Sequence, residues 1–486
     1  MQKLGEAPGG AKEGKIGEGK EAGGRRWAAL ALLCVAQFVN VLGVTVVIVA
    51  LPSIGRSLGL SEAGLQWVAG AYALFFGGFL LLCGRAADLY GRRLFFVLGL
   101  AVFVVGSLLC AFSGSLVVLV SARAAQGLGA AMVVPAALSM LTAIFPEGKE
   151  RERAVGVWTA VAAGGGAAGF FLGGILSEAL GWEWVFLLNV PVGALGIALA
   201  PVLLPESRDD GQASRKLDVL GALSITAGLL LLIYAFTKAE EHGFGPATFV
   251  ILGLAAASIL IFIALEARVA DPLVPLGVLR SPTLTGSSLV SFVLTATTSP
   301  AGVIGTLYLQ DALGYSPSIA GFAYAPFSIA VVAGSFIGAA VAGRIGAKIT
   351  MVSGLVAVAS AMLISCGIWA EGGLPYLLAG IVLSGLGLGC AAVASTAAGV
   401  SSVTEDKRGL ASGLLNAAAQ IGTALGIAAL VAVAAARTEA VSGGLGAVAL
   451  VAGYRLAFLV ALGVALAGAL GALCLIGRGG EAKDQK

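Results

Sequence analysis

Gly84-Arg85-Ala86-Ala87-Asp88-Leu89-Tyr90-Gly91-Arg92-Arg93 is the stretch on which the reading of this chain turns. It packs four charges and two glycines between two runs, 66–83 and 94–112, that carry no charge at all. As helices, both runs are long enough to cross the hydrocarbon core of a bilayer. A short charged connection between two such runs is a loop at a membrane surface.

Working outward, the same reading finds fourteen spans: 27–51, 66–83, 94–112, 116–141, 154–178, 184–204, 217–237, 248–265, 283–309, 318–342, 349–369, 374–400, 408–436 and 454–477. The chain has 29 Lys and Arg. All except Arg56, Arg123, Lys238, Arg437 and Arg455 fall in the two tails or in the even-to-odd connections. Basic loops resist translocation, so this alternation places both termini in the cytoplasm. A missed or invented span would invert every later loop, so the charge pattern also checks the count. Hydrophobic residues make up 58% and charged residues 11% of the sequence, a balance no soluble domain of this length could bury. The fold class expected is an all-α membrane protein.

Several function classes drop out. The basic residues sit in short juxtamembrane loops with acids among them, as in 147–153 (EGKERER) and 405–408 (EDKR), which suits lipid headgroups and gives no nucleic-acid footprint. The six cysteines form no CxxC pair, and His242 stands alone in an external loop, so neither a disulfide framework nor a metal site is expected. No span carries a nucleophile with a base or a cofactor lysine, which argues against an enzyme and against any cofactor. Residues 1–26, rich in Gly, Lys and Glu, read as a disordered cytoplasmic tail. The apolar run after it is too long for a signal-peptide core and stays as the first span.

The opening stretch has an echo. Gly343-Arg344-Ile345-Gly346-Ala347-Lys348 follows the tenth span as Gly84 to Arg93 follows the second, without the aspartate. The fifth and thirteenth spans each follow a charged loop ending in arginine, Arg153 and Arg408. These correspondences divide the chain into a six-helix bundle over 27–204 and another over 283–477. A connecting segment, 205–282, carries two extra spans at 217–237 and 248–265, and 478–486 forms a second cytoplasmic tail. Parallel repeats of this kind build carriers whose site lies between the halves near mid-membrane.

With these motifs in hand the chain resembles the major facilitator superfamily, and within it the fourteen-span drug and proton antiporter branch of multidrug efflux type. The opening stretch matches the superfamily signature between spans two and three, and 119–131 (LVSARAAQGLGAA) matches its fourth-span signature. The stretch 182–193 (WEWVFLLNVPVG) is typical of the branch, as are Ala50-Leu51-Pro52 and the connection from Tyr308 to Pro317. The resemblance covers 27–477 and implies an exporter of hydrophobic or amphipathic small molecules in the bacterial inner membrane. It further implies alternating access and proton coupling; a monomer is expected, with glycine-rich helix faces that can serve internal packing or self-association.

The residues point to particular sites. Asp88 among Arg85, Arg92 and Arg93 can form a charge-assisted latch between helices, beyond what an orientation signal needs. Arg123 lies inside the fourth span, where an ionisable group is a functional candidate by default, with snorkelling to the outer headgroups as the alternative. Gln126 follows one turn later on the same face. The cavity wall expected comprises Gln37 and Asn40 on span one with Tyr72, Phe75, Phe76 and Phe79 on span two. Trp158 on span five, Tyr324 and Phe327 on span ten, and Asn416 and Gln420 on span thirteen complete it. Aromatic surface with scattered amides suits amphipathic organic molecules.

Two departures from the family pattern stand out. Branch members commonly carry a first-span aspartate where this chain has Gly43, and the proline usual after the middle glycine of the fifth-span signature is Phe170 here. No carboxylate lies well inside any span, and Glu178 and Asp311 sit near external ends. A uniporter or organic-anion carrier on the same scaffold, without proton antiport, is therefore the alternative to drug and proton exchange.

Overall fold

The computed structural model describes residues 11–146, 148–206, 218–242, 245–269, 272–274, 277–370, 372–404, 407–441 and 446–476, and statements of absence below concern these. Residues 1–10, the tail 478–486 and the side chain of His242 lie outside them.

Sixteen helices make fourteen membrane-length apolar spans, as the sequence count expects, and the protein is a multi-pass membrane protein. The first group comprises α1 (Ala11–Leu58), α2 (Glu62–Tyr90), α3 (Arg92–Ala111), α4 (Leu116–Ile144), α5 (Lys149–Ala179), α6 (Glu183–Leu187) and α7 (Asn189–Leu203), the last two forming one span. Then come α8 (Val219–His242) and α9 (Pro246–Glu266). The second group is α10 (Pro282–Leu307), α11 (Pro317–Ala323), α12 (Ala325–Ile345), α13 (Ala347–Ser365), α14 (Leu374–Ser401), α15 (Arg408–Ala440) and α16 (Ala447–Leu475), with α11 and α12 sharing a span. An even number of crossings leaves both ends on one face, called the terminal face here; the other is the far face.

Local chemistry sets the boundaries. Ser61, Ser115, Ser281 and Ser316 cap α2, α4, α10 and α11 by accepting a bond from the backbone N–H three residues on. The α2–α3 and α12–α13 joints turn on Gly91 (φ 123°) and Gly346 (φ 89°), the second glycines of the two echoing stretches. Only glycine takes that conformation without strain, which gives the echo its structural cause. Within the stretch expected to be a disordered tail, α1 begins at Ala11, because extending an existing helix costs far less than nucleating one.

Packing repeats between the groups. In the first, α4 packs on α2 and α3, α5 on α1, and α7 on α1 and α3; in the second, α14 packs on α12 and α13, α15 on α10, and α16 on α10 and α13. Small residues hold these seams. A Cβ on Gly127 would stand 2.3 Å from the carbonyl of Tyr72, so α2 and α4 touch backbone to backbone. The inserted α8 packs on α2 and α15, and α9 packs on α8. Across the groups, α2 lies along α15 while α5 meets α11 and α12.

Candidate functional site

Three polar assemblies stand out, one inside the first group, one at the far face and one in a cavity between the groups.

The first surrounds Arg123, which is only 2% exposed. Its Nε donates to the Val68 carbonyl at 3.0 Å, and one terminal nitrogen donates to Gln126 Oε1 at 3.0 Å and to the Gly43 carbonyl at 3.4 Å. The guanidinium also lies over the Tyr72 ring, 4.6 Å from its centre. Gln126 passes the network on, donating to Ser107 Oγ at 2.7 Å, and Ser107 donates to the Phe103 carbonyl at 2.8 Å. Tyr72 donates its hydroxyl to Asn40 Oδ1. Arg123 therefore points into the bundle, and the snorkelling alternative falls. Its charge is met by carbonyls, an amide and a π-face, with no carboxylate in the assembly among the described residues. A Cβ at Gly43 would sit 3.4 Å from Phe103 and 4.0 Å from the amide nitrogen of Asn189. Asn189 is 1% exposed, and neither amide atom has a hydrogen-bond partner among the described residues.

The second assembly joins the groups at the far face. Arg56, in the last turn of α1, meets Asp311 at 3.0 Å and Gln310 Oε1 at 3.4 Å, within a single π-helical turn, Tyr308–Ala312, that ends the ninth span. Gln310 in turn donates to the Val49 carbonyl at 2.9 Å. Glu178, at the end of α5, accepts from the Ser318 N–H at 3.0 Å. Just inside this layer, Phe170 stacks on Tyr324 with ring centres 4.8 Å apart, and Phe327 meets Phe170 edge-on at 6.1 Å. The position where the family signature has proline thus supplies an aromatic lid.

Beneath the lid lies the third assembly, a cavity of about 150 Å³ bounded by α1, α5, α10, α12, α13, α14 and α16. Thr45, Thr298, Ser299 and Ser384 supply hydroxyls, and Phe170, Tyr324, Phe327, Met362 and Phe458 supply apolar surface. Thr295 and Leu388 also line an adjoining space of about 150 Å³ between α10, α14 and α15, whose rim includes the exposed Asn416. No charged side chain lines either space. The polar interruption of the ninth span is a continuous helix here: Thr297 and Thr298 donate back to the Val293 and Leu294 carbonyls at 2.8 and 2.7 Å.

The expected wall divides accordingly. Tyr324, Phe327 and Asn416 line the cavities. Tyr72 and Asn40 belong to the Arg123 assembly instead, Phe76 is packed in the first group's core, and Phe75 stacks on Phe79, whose ring packs against two core clusters. Trp158 is buried beside Phe145 and Phe96 in a separate apolar cluster of that group. Gln420 faces the α2 seam, its Cβ 2.8 Å from where a side chain on Gly77 would begin, and Gln37 Oε1 is buried with no partner among the described residues. Helical spacing alone does not separate an aromatic face packed on a helix from one lining a void, which explains these corrections. Of the latch residues, Arg92 pairs with Asp88 at 2.8 Å inside the first group, while Arg93 reaches Glu206 at 3.2 Å and Arg85 donates to the Pro272 carbonyl at 3.2 Å, both in the connecting segment.

Comparison with known proteins matches residues 33–305 and 287–486 to the model of the Major Facilitator Superfamily. The chain is 38% identical over 95% of its length to the puromycin resistance protein pur8 of Streptomyces alboniger, covering 93% of that protein. It is 37% identical over 85% of its length to the cephamycin export protein CmcT of Amycolatopsis lactamdurans, covering 85% of that one. Among solved structures, a bacterial homolog of the human lysosomal transporter Spinster, inward-facing and unoccupied, superposes with a TM-score of 0.64 at 18% identity, over 93% of this chain and 97% of that one. This last likeness concerns the fold.

Proposed function

This chain belongs to the major facilitator superfamily, and we propose that it exports hydrophobic or amphipathic small molecules across a bacterial inner membrane by alternating access. One observation carries the reading: an uncharged cavity of aromatic and hydroxyl groups lies between the two helix groups, with a lid and a polar clasp on its far side. A puromycin resistance protein and a cephamycin export protein among the relatives support the direction and the substrate class. The termini lie in the cytoplasm, following the basic loops, so the clasp is the external gate and the cavity loads from inside. The protein works as a monomer, since each monomer holds a complete cavity between its own two helix groups, and it needs no cofactor or nucleic acid.

A specific observation favours the uncoupled alternative over proton antiport. The Arg123 charge is already solvated by the Val68 and Gly43 carbonyls and by Gln126, and no carboxylate that could take up a proton stands in the assembly among the described residues. Organic anions, by contrast, gain nothing from a cavity without a cation. Carboxylates that could couple protons to movement include Asp311 and Glu178 of the clasp and the buried Asp218 and Glu266, next to α8 and at the end of α9.

The test is uptake of puromycin by inverted membrane vesicles or liposomes holding the purified protein. Transport that Tyr324→Ala abolishes supports the reading; no transport of puromycin or of any amphipathic dye overturns it. Proton movement recorded in the same liposomes decides the energy source, with Asp311→Asn and Glu178→Gln reporting on the clasp.

A further inference from the structure

Each hydroxyl carries one proton to give and two lone pairs to offer. In the cavity beneath the lid those protons are largely spent. Thr298 donates to the Leu294 carbonyl at 2.7 Å, Thr295 to the Ser291 carbonyl at 3.1 Å and Ser384 to the Ile381 carbonyl at 3.0 Å. Tyr324 donates to the Gly302 carbonyl at 2.9 Å, and Thr45 sits 3.4 Å from the Val41 and Leu42 carbonyls. Ser299 and Thr423 share one bond between them at 3.2 Å. Back-bonding of this kind is how a serine or threonine is satisfied on a membrane helix, and it leaves the oxygen's lone pairs directed outward. Ser365 lines the cavity without such a bond among the described residues and the Ser299–Thr423 pair keeps one proton free, so the wall a ligand meets is mainly, though not wholly, a set of acceptors among aromatic rings, with no charged side chain among the described residues.

We propose that this cavity selects electroneutral aromatic molecules that carry hydroxyl or N–H donors, and discriminates against permanent ions and against molecules that offer acceptors alone. The inference rests on the carrier reading above and narrows its substrate class. A permanent ion entering the cavity loses its water and finds no countercharge, a penalty that rings and hydroxyl oxygens do not offset. An acceptor facing an acceptor leaves both unpaired, whereas a donor restores the hydrogen bond it gave up in water. Stacking on the Phe170 and Tyr324 rings favours a flat frame.

The experiment measures binding of a naphthalenediol and of its dimethyl ether to the purified full-length protein, by fluorescence titration. The diol-to-ether affinity ratio cancels the extra apolar area of the ether when it is compared between proteins. In Thr298→Val combined with Ser384→Ala, two acceptors are gone and the ratio should fall about tenfold, with about threefold for either change alone. The ether's own affinity should hold or rise, because its oxygens no longer face those acceptors. Thr298→Ser keeps the acceptor and should keep the wild-type ratio, which guards against a folding artefact. A ratio equal in all proteins, or an ether that loses affinity in Thr298→Val, overturns the donor preference while leaving the carrier reading intact. If neither compound binds the wild-type protein, the preference falls, and transport of puromycin in liposomes decides separately whether the carrier reading stands. Competition by tetraphenylphosphonium or a naphthalenesulfonate overturns the selection for neutral ligands.

Discussion

Opening the far clasp should shift the protein toward an outward-open state by an amount that the geometry sets. Arg56 and Asp311 are 3.0 Å apart, but their side chains keep 56% and 32% of their exposure, so water screens most of the attraction. Pairs this exposed contribute at most about 1 kcal/mol, and Arg56→Gln alone should change the population ratio no more than about fivefold. Gln310 differs, being only 5% exposed with its amide held 2.9 Å from the Val49 carbonyl across the two groups. Removing that bond in Gln310→Ala costs the closed state about 1 kcal/mol more, so the double variant should favour opening by about thirtyfold. Thr45 lines the cavity just inside the clasp, and Thr45→Cys in a background without the native cysteines reports its accessibility. The rate of alkylation by an impermeant maleimide added outside should rise by up to about fivefold in Arg56→Gln and up to about thirtyfold in the double variant. An unchanged rate in the double variant, with the protein still folded and transporting, would refute the idea that these contacts hold the far side shut.

Three further outcomes follow from the same geometry. Gly43→Asp has room for its Cβ and places a carboxyl near Arg123 and Asn189, so it should introduce substrate-driven proton movement in liposomes beyond the wild-type level. Arg123→Ala strips the donors from Gln126 and from the Val68 and Gly43 carbonyls and should cost about 3 kcal/mol, read as a large fall in thermal midpoint in detergent. Gly173→Ala would bring a Cβ within 2.7 Å of the Val46 carbonyl, forcing α1 and α5 apart at a cost of about 1–3 kcal/mol, visible as reduced stability with Gly173→Ser at least as severe.

Much of the fold was legible because the signals are local. The span from 94 to 112 and its thirteen counterparts are apolar over a membrane's thickness, and the glycine pair in Gly84 to Arg93 marks a turn that Gly91 makes with its positive φ. The buried Arg123 and its neighbour Gln126 stood out for the same reason, since charge inside an apolar run is visible without any knowledge of packing. The cavity was only half legible. The hydroxyl cluster at 295–299 hinted at a wet helix, and Tyr324, Phe327 and Asn416 do line space, but Tyr72, Phe76 and Trp158 have the same periodicity and are packed in the first group's core. Phe170 was noticed as a departure from the family signature, yet nothing in its neighbours revealed the stacking partner.

What the amino-acid order determined alone is the membrane class, the number of crossings and the positions of the joints, because each depends on residues within one helix length of one another. Tertiary structure decided the rest: that Arg56 meets Asp311 across 255 residues, that Asn189 comes to face Gly43, and that carbonyls take the place of a counter-acid beside Arg123. A helix repeats every 3.6 residues and so announces which of its faces is polar. Which neighbour meets that face depends on crossing angles and on close approaches between small residues far apart in the chain, and those exist only once the helices have packed.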